Sequence, residues 1–283
     1  TRLFNSRRNS LVNTFYKMAI SIIIPTYRSP EHLDLCLKSC IEQQSNANEI
    51  IVVVDGFYDE SKEILDKYED RVNILDLGEN QGMQMALNYG VMNATNEKIF
   101  IVNDDNVFCK DFDVEIEEYL QERHVLTLNQ IEPEGPGIFN FPVKDFGRNP
   151  KDFKYNEFIK YEPSIRKDKL TLDGGIFPFA MYKKYYLAAG GFDTIYKSPF
   201  ICDWDFFLKL ELIGLTFLRT SNAHLYHFGS SATKNGKDGI KFKESEQPAA
   251  NIFMYKWGIP PQLFENNSHN PKNNKIIKGI KYD

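Results

Sequence analysis

Short β-branched runs alternate with stretches of helical period through the first hundred residues. Residues 20–24, 49–54, 72–75 and 98–102 are apolar runs of strand length, while 30–44, 60–69 and 82–94 repeat apolar positions every three or four residues. That alternation predicts parallel strands joined by right-handed helical crossovers. The first helix has the clearest ends and face. Ser29 stands at the N-cap and Pro30 at the first helical position, with Leu33, Cys36, Leu37, Cys40 and Ile41 on one side. Ile50-Ile-Val-Val-Val54 shows no polar alternation, so this strand is expected to be buried on both faces of an open sheet.

In such sheets ligands sit beyond the carboxyl ends of the strands, where polar residues follow each apolar run here. Pro25-Thr26-Tyr27 follows the first run, Asp55 the second, Asn80-Gln81-Gly82 the third and Asn103-Asp104-Asp105-Asn106 the fourth. Four strand ends are expected to converge on one crevice. The second half is less regular. Segment 129–165, rich in Pro, Gly and Asn, is expected to form long loops around a short strand at 137–141. Helices are expected at 179–189, closed by Gly190-Gly191, and at 203–213, closed by Gly214.

Composition narrows the classes of function. The 283 residues are 42% hydrophobic and 26% charged, which suits a packed globular core. A formal charge of −5 and a pI near 5.7 give no general attraction to phosphate backbones, so nucleic acid is excluded as an expected partner. Cys36, Cys40, Cys109 and Cys202 lack zinc-site spacing and sit in apolar surroundings, which reads as reduced thiols of a cytoplasmic protein. The apolar stretch 18–24 is too short to span a bilayer, so no transmembrane segment is expected. Residues 1–17 read as a flexible leader or a remnant of expression, outside the fold.

The adjacent carboxylates Asp104 and Asp105, flanked by amides at a buried strand end, are hard oxygen ligands suited to Mg²⁺ or Mn²⁺. Taken alone, the pair reads more readily as an acidic turn that caps the next helix. Five further motifs accompany it: Pro25-Thr26-Tyr27, Asp55-Gly56-Phe57-Tyr58-Asp59, the run from Asn80-Gln81-Gly82 through Ala86 and Asn88 to Gly90, Gly190-Gly191-Phe192-Asp193, and Asp203-Trp204-Asp205. In this order and spacing, over roughly residues 19–230, the chain resembles a family 2 glycosyltransferase of the GT-A fold.

The resemblance implies an α/β fold: one Rossmann-like, mostly parallel sheet flanked by helices, with a less regular acceptor-side half. It divides the chain into a nucleotide-sugar-binding half at 18–128, an acceptor-binding half of the same domain at 129–265, and a polar tail at 266–283. The implied donor is a nucleotide-diphosphate sugar, with a UDP-sugar favoured. The implied acceptor is a glycan, glycoprotein or lipid-linked chain. Pro25, Thr26, Tyr27, Asp55, Gln81, Gly82 and Asp104 are the implied donor contacts, with Tyr27 stacking on the base and Asp55 accepting from a base N–H. Asp105 and His227 are implied to hold Mn²⁺ or Mg²⁺. Asp203 is the implied general base of an inverting displacement, and Gly175, Trp204 and Asp205 lie on the acceptor and sugar side.

Each assignment has a structural alternative. Asp203 also fits a helix N-cap, Tyr27 and Asp55 fit strand caps, and Ala86 and Gly90 fit tight helix-on-sheet packing. His227 fits an ordinary core or loop histidine, and Trp257 of Lys256-Trp257-Gly258 fits the core as well as an acceptor-closing role. The chain departs from the family at Asn103, where an aspartate is common, and at Val54 and Leu87. A non-catalytic nucleotide- or carbohydrate-binding module and a sugar nucleotidyltransferase are the competing functions. The second would want a Gly-rich phosphate loop after the first strand, where this chain has Pro25-Thr-Tyr-Arg-Ser-Pro30.

Overall fold

The computed structural model describes residues 20–134, 141–229 and 238–261. The expected leader, the tail from 266 and, except for residue 141, the strand expected at 137–141 lie outside them. The first half follows the predicted alternation closely: β1 Ile20–Thr26, α1 Pro30–Gln43, β2 Glu49–Val54, α2 Tyr58–Tyr68, β3 Asn73–Asp76, α3 Met83–Asn93 and β4 Lys98–Ile101. A two-residue strand β5, Asn106–Val107, and helix α4, Phe112–Tyr119, come next. The rest comprises β6 His124–Ile131, α5 Tyr155–Tyr161, β7 Leu170–Thr171, β8 Phe179–Tyr182, α6 Lys183–Ala188, α7 Cys202–Leu212, β9 Thr216–His227 and α8 Gly239–Trp257, with two short 3₁₀ turns between α4 and β7.

The nine strands among the described residues form one sheet in the order β3-β2-β1-β4-β8-β6-β9-β5, with β7 added against β9. Strands β1, β2, β3 and β4 pair in parallel, as the crossovers predicted. Strand β8 enters antiparallel to both β4 and β6, and β6 and β9 again run parallel. The sheet is therefore mostly parallel, as the resemblance implied.

Burial follows from the strand pleat. Ile20, Ile22 and Ile24 of β1 face one apolar cluster, shared with Leu33, Leu37, Leu65, Phe112 and Phe158 from α1, α2, α4 and α5. Ile23 faces the other, shared with Leu87, Tyr186, Phe206 and Phe253 from α3, α6, α7 and α8. Helices thus cover both faces, which is why the strands carry continuous apolar runs. The four cysteines are buried and unpaired.

Three elements differ from expectation. The helix expected over 179–189 begins as strand β8, because Phe179, Ala180 and Met181 are fully buried in register between β4 and β6. A short apolar run has no period by which to tell the two states apart. Strand β6 continues to Ile131, into the stretch read as loop, and α5 lies inside that same stretch. Helix α5 buries Phe158 and packs Ile159 and Tyr161 against the core, a tertiary contact that outweighs the local Pro and Gly content.

Candidate active site

The carboxyl ends of the parallel strands open into a cleft of about 1590 Å³. Pro25, Thr26, Tyr27, Asp55, Gln81, Gly82, Asp104, Asp105, Asp203, Trp204 and His227 all line it, so most of the residues singled out in the sequence meet in one place. Gly175 and Asp205 do not line it.

Asp104 is 8% exposed and Asp105 4%. The Thr26 hydroxyl donates to Asp104 Oδ2 at 2.7 Å, and the Tyr27 amide also donates to this carboxyl. Burial, with the charge of Asp105 added, nevertheless pushes the Asp104 pKa up to about 8. Two carboxyls buried side by side resist double ionisation unless positive charge arrives. Oδ1 of Asp105 is buried with no hydrogen-bond partner among the described residues, a cost that a bound cation would relieve.

The strand register sets what surrounds Asp105. Asn106 of β5 pairs with His227 of β9, and the Phe228 amide donates to the Asp105 carbonyl at 3.2 Å. His227 Nε2 is thereby held 3.6 Å from Asp105 Oδ2. On the other side of the ring, Nδ1 lies 3.1 Å from Glu132 Oε1. Sequence reasoning missed Glu132, because it follows β6 inside a stretch read as loop. The donor set of Asp105 carboxylate and neutral imidazole fits Mn²⁺ or Mg²⁺, although no group of three or more such side chains is poised to hold a metal among the described residues.

Asp55 is turned toward its own neighbours. Its carboxylate accepts from the amides of Gln81 and Gly82 and from Asn80 Nδ2, at 2.6–3.2 Å, so it fixes the loop that starts α3. Burial raises its pKa, and the two amides counter that rise. Tyr27 donates its hydroxyl hydrogen to Asp238 at 2.9 Å and packs edge-on against Phe57 and Phe242, so α8 is drawn over the Tyr27 side of the cleft. Lys241 and Phe242 of that helix line the cleft.

The alternatives for α3 separate by position. A Cβ on Gly90 would stand 2.6 Å from Ile23 Cγ2 and 2.9 Å from Val53 Cγ2, and Ala86 is fully buried in the same seam, so both serve helix-on-sheet packing. Gly82 instead lines the cleft at φ +96°, where side chains are disfavoured. Asn88 clamps the Gly190-Gly191-Phe192-Asp193 turn: its Nδ2 donates to the Phe192 carbonyl and its Oδ1 accepts from the Phe192 amide and the Tyr186 hydroxyl.

Helix α7 presents Asp203 to the cleft. Its N-cap is Ile201, with Asp203 inside the first turn, so the capping alternative does not hold. Ile201 has φ +70°, a conformation that a β-branched residue adopts only when its surroundings force it. Burial pushes the Asp203 pKa up to about 6, against which the Trp204 amide donates a bond of 3.0 Å.

Asp205 faces the opposite way. It is fully buried and accepts from Trp257 Nε1 at 2.8 Å, Lys256 Nζ at 2.8 Å and the Tyr196 hydroxyl at 3.2 Å. Lys256 also reaches Asp193 at 2.7 Å. Three of the sequence motifs thus join into one ionic clasp behind α7, which places Trp257 in packing. Gly175 sits behind the cleft wall, where its amide donates to Thr127 Oγ1 at 3.1 Å.

Comparison with known proteins bears on the family and the fold. GlyG, a glycosyltransferase of Streptococcus pneumoniae, is 27% identical over 172 residues, 54% of this chain and 57% of that protein's length. The structure of Staphylococcus aureus TarS 1-349 in complex with UDP matches 86% of this chain and 72% of its own, with a TM-score of 0.55 and 16% identity. The mannosyltransferase PcManGT of Pyrobaculum calidifontis, in complex with GDP-Man and Mn²⁺, matches 75% of this chain and 57% of its own, with a TM-score of 0.54 and 16% identity. Among the described residues no helix is long and apolar enough to cross a membrane. The model of glycosyl transferase family 2 matches residues 21–191, and the chain belongs to that family of glycosyltransferases.

Proposed function

We propose that the chain transfers a sugar from a nucleotide-diphosphate donor, with UDP-sugars favoured, to an acceptor hydroxyl with inversion at the anomeric carbon. The observation that carries this is the sharing of one cleft by the buried pair Asp104 and Asp105 and the raised carboxyl of Asp203. TarS bound to UDP and PcManGT bound to GDP-Man and Mn²⁺ share the fold and support a nucleotide-sugar donor.

Tyr27 and Asp55 border the nucleoside, the N-terminal end of α3, capped by Gly82 on the cleft wall, faces the diphosphate, and Asp104 contacts the ribose or sugar. Asp105 and His227 would hold Mn²⁺ or Mg²⁺, which would supply positive charge against the negative charge that develops on the leaving diphosphate. Asp203 accepts the proton of the acceptor hydroxyl as that oxygen bonds to the anomeric carbon. The bond to the diphosphate oxygen breaks on the opposite face, and its electron pair leaves with the nucleoside diphosphate. A carboxyl with a pKa near 6 is a better base than an ordinary aspartate and is still ionised at neutral pH. Trp204, beside it, offers an indole face to an apolar sugar face. The acceptor is a glycan, glycoprotein or lipid-linked chain.

The test is hydrolysis and transfer across UDP-, GDP- and dTDP-sugars with and without Mn²⁺, repeated on Asp105→Ala and Asp203→Asn. The first variant is expected to lose metal-dependent donor binding, and the second to bind donor but not transfer. A fully active Asp203→Asn would remove the base assignment.

A further inference from the structure

Gln84 stands in the first turn of α3, on the wall of the cleft, yet it is only 2% exposed. Its Nε2 donates to the Ser198 carbonyl at 2.6 Å, and its side chain also hydrogen-bonds the Cys202 thiol. One buried amide therefore holds both ends of the turn Ser198–Cys202.

That turn delivers Asp203. Cys202 is the first residue of α7 and Asp203 the second, and the N-cap Ile201 sits at φ +70°. A β-branched residue keeps such a conformation only where its surroundings impose it. Inside the turn, the Ser198 hydroxyl accepts from the Phe200 amide at 3.2 Å, and the Cys202 thiol donates to the Pro199 carbonyl at 3.6 Å. These bonds set the shape of the turn. Its place in the molecule is set by bonds to other elements: Gln84 ties it to α3, and the Ser245 hydroxyl of α8 donates to the Ser198 hydroxyl at 2.9 Å. The start of α3 is itself anchored, because Asp55 accepts from the Gln81 and Gly82 amides. A path of hydrogen bonds thus runs from the end of β2, through Gln84, to the turn that carries Asp203.

We propose that Gln84 is a positioning residue for Asp203: it locks the Ser198–Cys202 turn to the start of α3, so that the carboxylate keeps a fixed place relative to that end of the cleft. This rests on the reading of Asp203 as the base and of the start of α3 as the diphosphate end. A reacting group misplaced by about 1 Å can cost about 100-fold in rate. Gln84→Met keeps the length of the side chain and removes its donor. Gln84→Leu does the same with a branched chain and serves if the first variant fails to fold.

In Gln84→Met the kcat for transfer should fall about 100-fold, while the Kd of UDP, measured by calorimetry, keeps its wild-type value. Weaker UDP binding with an unchanged kcat makes Gln84 a donor contact and overturns the proposal, as does a variant unchanged in both. Added to Asp203→Asn, Gln84→Met should lower the residual rate no further, since no base is left to place; an undiminished second loss overturns the proposal. The other readout needs no turnover: ¹³C NMR titration of the aspartate carboxyls in the donor-free protein, with Asp203→Asn to assign the signal. A freed turn lets water reach the Asp203 carboxyl, so in Gln84→Met its midpoint should fall from the wild-type position toward the ordinary aspartate value of about 4. A midpoint identical to wild type overturns the proposal. If Asp203→Asn transfers sugar at the wild-type rate, the base reading fails on its own, while the titration in Gln84→Met still decides whether Gln84 holds this carboxyl in place. Thermal unfolding of each variant separates these effects from loss of fold.

Discussion

Thr26 donates its hydroxyl hydrogen to Asp104 Oδ2 across 2.7 Å and so ties the end of β1 to the turn that follows β4. The bond is fully buried and opposes the burial that drives the Asp104 pKa upward. Thr26→Val keeps the volume and removes the donor. It should lower stability by about 1–3 kcal/mol in urea unfolding and raise the KM for donor, whereas Thr26→Ser should restore both. A Thr26→Val enzyme with unchanged stability and KM would show that Asp104 is held by other means.

The pH dependence follows from Asp203. A base must be unprotonated to act, and its pKa is raised to about 6, so kcat/KM should fall about tenfold per pH unit below that value. The profile should lack this limb in Asp203→Asn, whose residual rate is low and flat. An acid limb at an ordinary aspartate value near pH 4 would contradict the burial of this carboxyl.

The same shift has a signature in stability. A folded-state pKa above the unfolded value means that ionised Asp203 opposes folding: the penalty is complete above about pH 6 and absent below about pH 4. Asp203→Asn should therefore be more stable than wild type at pH 8, by about 1–2 kcal/mol once screening by the open cleft is allowed for, and no more stable at pH 3.5. Thermal melts at the two pH values decide it. A catalytically dead variant that is also stabilised cannot have lost activity through misfolding.

Much of the cleft wall at the ends of β1 to β4 was legible because these strands are local, repetitive units whose apolar runs have one reading, and their polar ends follow at once in sequence. What resisted reading depends on distant partners. Strand β8 is a strand only because β4 and β6 lie on either side of it, and Phe179-Ala-Met-Tyr182 carries no period of its own. Glu132 acquires its meaning from a histidine 95 residues later. Asp203 and Asp205 are indistinguishable as letters, and the roughly half turn of helix between them sends one to the cleft and the other into the core. The departures at Val54 and Leu87 are likewise explained by burial, since both side chains lie in the apolar clusters.

Gly90 gives a test of packing apart from chemistry. The methyl of Gly90→Ala would meet Ile23 and Val53 at 2.6 and 2.9 Å, in a seam where α3 lies on β1 and β2. Alanine favours a helix interior over glycine by about 1 kcal/mol, but forcing apart a packed seam costs about 1–3 kcal/mol, so the net effect should be a loss. The KM for donor should not change. A raised KM would mean that α3 moves as a body and carries Gly82 with it.

Asp205→Ala should produce the converse of Asp203→Asn. Asp205 is fully buried, and its removal strips a partner from Trp257, Tyr196 and Lys256 and leaves Lys209, 3.7 Å away, without its nearest anion. Breaking a buried ionic cluster from one side costs about 3–5 kcal/mol, because the remaining polar groups stay desolvated. The variant should melt well below wild type at neutral pH. At low temperature, where it is still folded, it should bind donor with wild-type KM and retain the same acid limb near pH 6, since Asp203 is untouched. Full stability in Asp205→Ala, or loss of that limb, would mean that the two carboxylates share the work at the cleft.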